Sequence, residues 1–249
     1  MKRLLLLFLL FSFFSYSQDG FSYQIDKQET KYLMSYFDAE KHKVLEEYDK
    51  SLMLYEKCIS INPQESSAYN EIAKIYFFLQ DWDNAEYYIK EAISLEQNNK
   101  WYYYLLLDIY LVQDNLESQV DVYTKLIELE ENNLTYYIQK LDLYLRLKLY
   151  KKALRFINKS TKLFGGSIAF LKAETEIHVS QDNYHLAEKT AKQLVKLFPK
   201  SNESYSILAK VYLHFSEYEE AISVYEQILI NDPSNPEALV ALYRIYSNK

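Results

Sequence analysis

The strongest constraint in this sequence is that residues of the same kind recur every 34 positions. Alanine, tyrosine and proline each keep their own phase of this period. The recurring residues are Ala85, Ala153, Ala187 and Ala221; Tyr76, Tyr110, Tyr144, Tyr212 and Tyr246; and Pro63, Pro199 and Pro233. Three phases that share one period, without an insertion, predict a tandem array of six equal repeats.

Each repeat contains two stretches with helical periodicity. In residues 66–99, Ile72 and Tyr76 belong to one apolar stripe, and Ala85 and Ile89 belong to a second. Apolar residues spaced by three or four positions indicate one buried face of a helix. A pair of helices cannot bury all of its apolar surface alone, so stacked pairs share a core.

The alanine phase has a steric explanation. Two antiparallel helices with axes 8–10 Å apart need a small side chain where they cross. Ser51 and Gln119 hold this phase in the two repeats that lack alanine. Gln119 is too large for a close crossing, which predicts either a looser third pair or a shift that lets Ser118 make the contact.

Two charged residues, Lys140 and Glu174, stand at a phase that is apolar in other repeats. They are one repeat apart, so one interpretation is a partly buried ion pair between them. The alternative is that both side chains extend to solvent.

The pattern resembles the tetratricopeptide repeat family, whose unit is also 34 residues long. The last full repeat carries the matching residues: Tyr205, Leu208, Ala209, Tyr212, Ala221, Tyr225 and Pro233. The resemblance implies an all-α, right-handed superhelical solenoid of antiparallel helix pairs. Its six repeats would be 32–65, 66–99, 100–133, 134–167, 168–201 and 202–235, followed by a half repeat at 236–249.

The first residues have the features of a secretory signal peptide. Lys2 and Arg3 precede an apolar run, and Ser15 and Ser17 have the spacing that signal peptidase prefers. We expect cleavage after Ser17, a flexible lead-in at 18–31, and no stable membrane insertion after cleavage. An uncleaved anchor or a buried first helix is the alternative. Overall similarity to secreted or periplasmic tetratricopeptide proteins of Bacteroidetes-type bacteria agrees with a periplasmic or extracellular location.

Composition argues against several classes of function. Three glycines cannot form a glycine-rich phosphate loop, and Cys58 as the one cysteine excludes an internal disulfide. The net charge of −7 argues against nucleic-acid binding. Glu174 and His178 share a helical face, but zinc needs three or four ligands. We therefore expect no enzyme activity, no cofactor and no metal.

The resemblance also implies a concave groove lined by the first helix of each repeat. Asp108, Asp142 and Glu176 recur at one groove phase and would form an acidic row. Their helices are too far apart for the three to share one metal ion. The predicted groove residues are Tyr36, Asn70, Lys74, Phe77, Trp101, Tyr104, Asp108, Leu111, Asp142, Glu176 and Lys210.

These residues predict a non-catalytic scaffold that binds a protein or peptide. The ligand would have apolar anchors for the aromatic residues and a basic or neutral centre for the carboxylates. The competing interpretation is that tyrosine is merely abundant and the groove binds nothing specific. A second hypothesis is the extracytoplasmic sensor region of a longer signalling protein, which a membrane span and an output domain after Lys249 would support.

Overall fold

The computed structural model describes residues 27–247, and every regular element in that range is an α-helix. The chain divides into two compact units at Glu96 and Gln97. The first unit contains α1 (Lys27–Val44), α2 (Tyr48–Ile61), α3 (Ser66–Phe78) and α4 (Trp82–Leu95). The second contains α5 (Lys100–Val112), α6 (Leu116–Leu129), α7 (Leu134–Arg146), α8 (Tyr150–Phe164), α9 (Ile168–Ser180), α10 (Tyr184–Leu197), α11 (Asn202–His214), α12 (Tyr218–Asn231) and α13 (Pro236–Ser247).

Within each unit, consecutive helices pack as antiparallel pairs joined by short turns. The first helices of the pairs are evenly spaced along the sequence. From α3 to α13, each first helix begins 34 residues after the previous one. The prediction of an all-α fold built from helix pairs is confirmed. The predicted signal peptide at 1–17, and lead-in residues 18–26, lie outside the described residues.

The predicted flexible lead-in is wrong for residues 27–31, because α1 already begins at Lys27. The side chain of Gln28 donates a hydrogen bond from Nε2 to the backbone oxygen of Ile61, at 2.5 Å. This contact ties the first turn of α1 to the last residue of α2. Residues 27–31 are polar, so their composition did not predict a helix. The start of α1 is held instead by the contact with α2.

The residues of the alanine phase lie inside the helix pairs, as the sequence predicts. All six residues of this phase are almost fully buried: Ser51, Ala85, Gln119, Ala153, Ala187 and Ala221. Ser51 donates from Oγ to the backbone oxygen of Ala39 at 2.9 Å. Gln119 donates from Nε2 to the backbone oxygen of Tyr110 at 3.0 Å. Gln119 itself therefore makes the contact, and the proposed substitution by Ser118 is wrong.

Lys140 contradicts both interpretations made from the sequence. It is 7% exposed, so it does not extend to solvent. Its Nζ donates to Oγ1 of Thr124 at 2.6 Å and lies 5.3 Å from the centre of the Phe156 ring. Glu174 instead lies with a carboxylate oxygen 3.9 Å from Nε2 of His178. Lys140 points between α6 and α8, because those helices offer an oxygen acceptor and an aromatic ring.

A left-handed residue occupies the turn inside every complete pair. These residues have φ between 49° and 64°, and none is glycine: Glu46, Gln80, Asp114, Lys148, Asp182 and Ser216. They recur at the 34-residue step. In one example, the backbone N–H of Gln80 bonds to Phe77 and that of Asp81 bonds to Tyr76. The left-handed residue thus closes the first helix and lets the next begin two residues later.

We expect Lys148→Gly to stabilise the protein, because a non-glycine side chain is strained at φ 54°. Removing the strain should raise the free energy of unfolding by about 0.5–1 kcal/mol. Thermal unfolding followed by circular dichroism measures the change. The control, Lys151→Gly in the first turns of α8, should lower the melting temperature, and a decrease for Lys148→Gly would contradict the strain.

We expect Lys140→Met to stabilise the protein by about 1–3 kcal/mol near neutral pH, since burial lowers the pKa of Lys140 and penalises its charge. The unfolded chain binds this proton more tightly, so wild-type stability should rise with pH between the folded-state pKa and the ordinary lysine value. The advantage of methionine should shrink across that window. Chemical denaturation at several pH values measures it, with exposed Lys151→Met as control; a destabilised Lys140→Met would refute the penalty.

Candidate functional site

The first helices of the second unit lie side by side. Tyr104 on α5 and Tyr136 on α7 share a hydrogen bond between their hydroxyls, and α7 packs against α9. Further along, Lys172 on α9 approaches Glu203 on α11 at 3.5 Å. Lys210 pairs with Glu237 of α13 at 2.8 Å. Side chains at one phase of these helices therefore form one continuous surface, which we call the first-helix face.

Three carboxylates follow one another along the first-helix face. Asp108, Asp142 and Glu176 are exposed, and among the described residues none has a lysine, arginine or histidine within salt-bridge distance. Partial burial raises the pKa of Asp108. The three carboxylates lie on successive first helices, Asp108 on α5, Asp142 on α7 and Glu176 on α9. Among the described residues these three carboxylates are exposed and have no internal counter-ion, and their role as one binding row stays a prediction.

Residues 27–247 contain no group of three or more histidine, cysteine or acidic side chains placed to hold a metal ion. The carboxylates of the row are separated by whole helices, whereas calcium ligands must all lie 2.3–2.6 Å from one ion. Their common effect is a negative potential that extends over roughly one Debye length, about 8 Å at physiological salt.

On the first-helix face, a cavity of about 820 Å³ is lined by residues of α9, α11 and the start of α13. Glu176 and Lys210, both predicted groove residues, belong to its wall. Val179, Ile207 and Val211 supply apolar surface between the charged groups. The combination of an apolar base and charged edges is suited to a peptide backbone with alternating side chains.

Two aromatic residues, Trp101 and Tyr104, lie at the α5 end of the first-helix face. Trp101 is 68% exposed, and its ring meets that of Tyr104 edge-on at 5.5 Å between centroids. Leu111, near the C-terminal end of the same helix, is half exposed. The carboxylate of Glu130 accepts hydrogen bonds from Lys100 and Tyr136, which holds the pKa of Glu130 at about 2, with the Lys100 bond as the main cause. Tyr104 is thus held by the hydrogen bond between its hydroxyl and that of Tyr136, while the exposed ring of Trp101 is accessible to a ligand.

In the first unit, the predicted polar groove residues are occupied by neighbours. Asn70 and Lys74 both donate to Oε1 of Glu71, at 3.1 and 2.6 Å. Glu71 is only 7% exposed, and its other oxygen accepts from Lys43 at 2.5 Å. Its pKa is lowered by these lysine bonds, against the effect of burial. The charges of this surface are neutralised within the unit.

The predicted aromatic residues of the first unit also pack internally. Tyr36 is half-buried and meets the ring of Tyr55 edge-on at 5.4 Å. Phe77 contacts Trp82 in the same manner at 5.3 Å. The structure therefore brings together Trp101 and Tyr104, and separately Glu176 and Lys210, while Asn70 and Lys74 meet through Glu71.

Sequence reasoning missed two carboxylates that organise these surfaces. Glu71 joins Lys43 of α1 to Lys74 of α3, and Glu237 joins Lys210 to Ser206. The three-residue spacing from Glu71 to Lys74 was a visible signal of helical pairing. Glu237 offered no such signal, because both of its partners lie on the preceding first helix.

Stacked antiparallel helix pairs of constant length define a helical repeat protein. Residues 66–99, 102–133 and 176–236 match models described as Tetratricopeptide repeat. The chain thus contains tetratricopeptide repeats, in segments that amount to about half of its length. Proteins of this kind are generally non-catalytic protein-interaction scaffolds.

Solved structures support the same fold. A tetratricopeptide repeat protein from Parabacteroides merdae aligns over 88% of this chain and 87% of its own, with 14% identity and a TM-score of 0.50. YrrB, described as having an unusual peptide-binding site, aligns over 76% and 97%, with 15% identity and a TM-score of 0.50. A chain of the Naa15/Naa10 complex bound to HypK aligns over 90% of this chain and 35% of its own, with 14% identity and a TM-score of 0.69.

No curated protein matches this sequence. Among the helices of residues 27–247, none combines the length and the apolar character that crossing a membrane requires.

Proposed function

We propose that this protein is a non-catalytic scaffold that binds an extended, basic peptide segment along the first-helix face of its second unit, in the cell envelope. The observation that carries the proposal is the row of Asp108, Asp142 and Glu176, whose charges no described cation neutralises. A ligand with cations at matching positions would supply the missing partners.

The geometry favours a particular spacing in the ligand. A polyproline II segment has three residues per turn and rises about 3.1 Å per residue, so every third side chain lies on one side of it and advances about 9 Å. This interval is close to the distance of about 8–10 Å between the axes of packed helices, and the carboxylates lie on successive first helices. A segment with lysine or arginine at every third position would therefore meet the acidic row in register.

Apolar anchors find their place at the α5 end of the face. The exposed ring of Trp101 and the half-exposed side chain of Leu111 flank Asp108 in the helical sequence. Aromatic side chains on an interface contribute large contact areas at low entropic cost. The peptide-binding site described for YrrB, a protein of similar fold, supports this use of the fold without identifying the ligand.

We expect the triple variant Asp108→Asn, Asp142→Asn, Glu176→Gln to bind a basic probe more weakly. The probe is a fluorescein-labelled 12-residue peptide with lysine at every third position and one leucine pair, and fluorescence anisotropy measures its affinity. Loss of three charge contacts should weaken binding by roughly tenfold or more.

The matched control removes the same number of charges from the second helices of the same unit, as Glu117→Gln, Glu220→Gln and Glu226→Gln. It should leave the affinity nearly unchanged, since the local potential of the first-helix face stays intact. Equal loss in both variants would mean that only net charge matters. Failure of the wild-type protein to distinguish this peptide from its glutamate counterpart would refute a basic ligand.

Export through the inner membrane is the second part of the proposal, and it rests on the Lys2–Arg3 start and the apolar run that follows. Intact-mass measurement of the protein expressed in a bacterial host with its own N-terminus should give a chain that begins at Gln18. Lys2→Glu with Arg3→Glu should reduce the cleaved form, since it removes the positive n-region. A wild-type chain that retains Met1 in the cytoplasmic fraction would contradict export.

A further inference from the structure

A second cavity, of about 710 Å³, lies at the end of the described chain between α11, α12 and α13. Its walls are mainly apolar and include Leu213, Val240 and Ile245. The charged side chains on its rim are Lys210, Glu237 and Arg244. Cavities of this size with few polar groups among apolar walls are typical of small-molecule sites.

One polar group in the wall lacks a partner. Tyr225 of α12 is 2% exposed and lines the cavity, but its hydroxyl makes no hydrogen bond with any described residue. Burial raises the pKa of Tyr225 to about 12, so the hydroxyl keeps its proton at neutral pH and is available as a donor. The hydroxyl is not among the fully buried polar atoms without a partner in residues 27–247, so it is accessible from the cavity, where a ligand oxygen would accept its hydrogen bond.

The equivalent tyrosine in the first unit shows which acceptor suits this position. Tyr55 stands five 34-residue steps before Tyr225, and its hydroxyl donates to a carboxylate oxygen of Glu40. Lys43 neutralises that carboxylate at 2.7 Å. In the last pair, the residue at the phase of Glu40 is Lys210, so the chain supplies a cation where the first pair supplies the carboxylate.

The rim charges leave one cation uncompensated. Both oxygens of Glu237 are engaged, one with Lys210 at 2.8 Å and the other with Ser206 at 3.1 Å. Arg244 has no acidic partner among the described residues. The cavity therefore presents an unpaired guanidinium and a free phenol donor above apolar walls.

We propose that this cavity binds a small carboxylic acid with an apolar chain. The carboxylate accepts hydrogen bonds from Arg244 and Tyr225 and takes the place that Glu40 holds in the first pair. The chain packs against Leu213, Val240 and Ile245. This site adjoins the peptide surface proposed above, since Lys210 and Glu237 border both cavities, but its occupancy does not require a peptide.

Isothermal titration calorimetry of the purified full chain with octanoate tests the proposal, and octan-1-ol serves as the uncharged probe of equal length. Octanoate should bind with one-to-one stoichiometry and at least tenfold more tightly than the alcohol. Arg244→Gln should weaken octanoate binding about tenfold or more, and Tyr225→Phe about threefold to tenfold. Arg244 is exposed, so its substitution leaves the fold intact and keeps the test decisive if Tyr225→Phe destabilises the pair.

Two control variants match these changes outside the cavity. Arg155→Gln removes the same charge from the exposed side of α8, and Tyr243→Phe removes a hydroxyl from an exposed ring of α13. Both should bind octanoate as the wild type does. The proposal is overturned if octanoate does not bind at millimolar concentration, or if Arg244→Gln and Tyr225→Phe bind it unchanged. It is also overturned if only a peptide with a free C-terminal leucine binds, which would assign the cavity to peptide ends.

Discussion

The close crossing of two helices within each pair is the contact on which the rest of both units depends. It is made by a small or hydrogen-bonded side chain that is almost fully buried, such as Ala221 or Gln119. Close approach at this point directs the larger residues of the pair, including Tyr225 and Ile228, toward the next pair. Those residues are buried by their neighbours along the chain, so stability is shared between adjacent pairs.

The helices and their pairing could be predicted from the sequence because both depend on periodicity. The position of Lys140 could not, since its phase is apolar in other repeats and its partners, Thr124 and Phe156, lie on two different second helices. The start of α1 was hidden for a similar reason: Gln28 is polar, and only its bond to Ile61 reveals an ordered turn. Contacts between elements, rather than propensities within them, account for these differences.

The candidate sites also combine features that repeat periodicity predicts with features that only side-chain contacts reveal. The acidic row follows from phase alone, because residues at one phase of successive first helices share a face. Whether a charge is already neutralised depends on side-chain conformation, and the sequence does not show that Glu71 is bound to Lys43 of α1, whereas Asp142 has no described cation. The cavity at Tyr225 required both kinds of information: a substitution at one phase, Lys210 for Glu40, and the missing bond seen in three dimensions.

The left-handed residue in each turn has a consequence for how such repeats diverge. Glu46, Gln80, Lys148 and Ser216 have little chemistry in common, yet the backbone has nearly the same conformation at each of them. The backbone conformation therefore does not require one kind of side chain at this point, whereas an added or deleted residue would move the start of the next helix. Sequence drift can erase the resemblance of one repeat to another here without altering the spacing that keeps the stack in register.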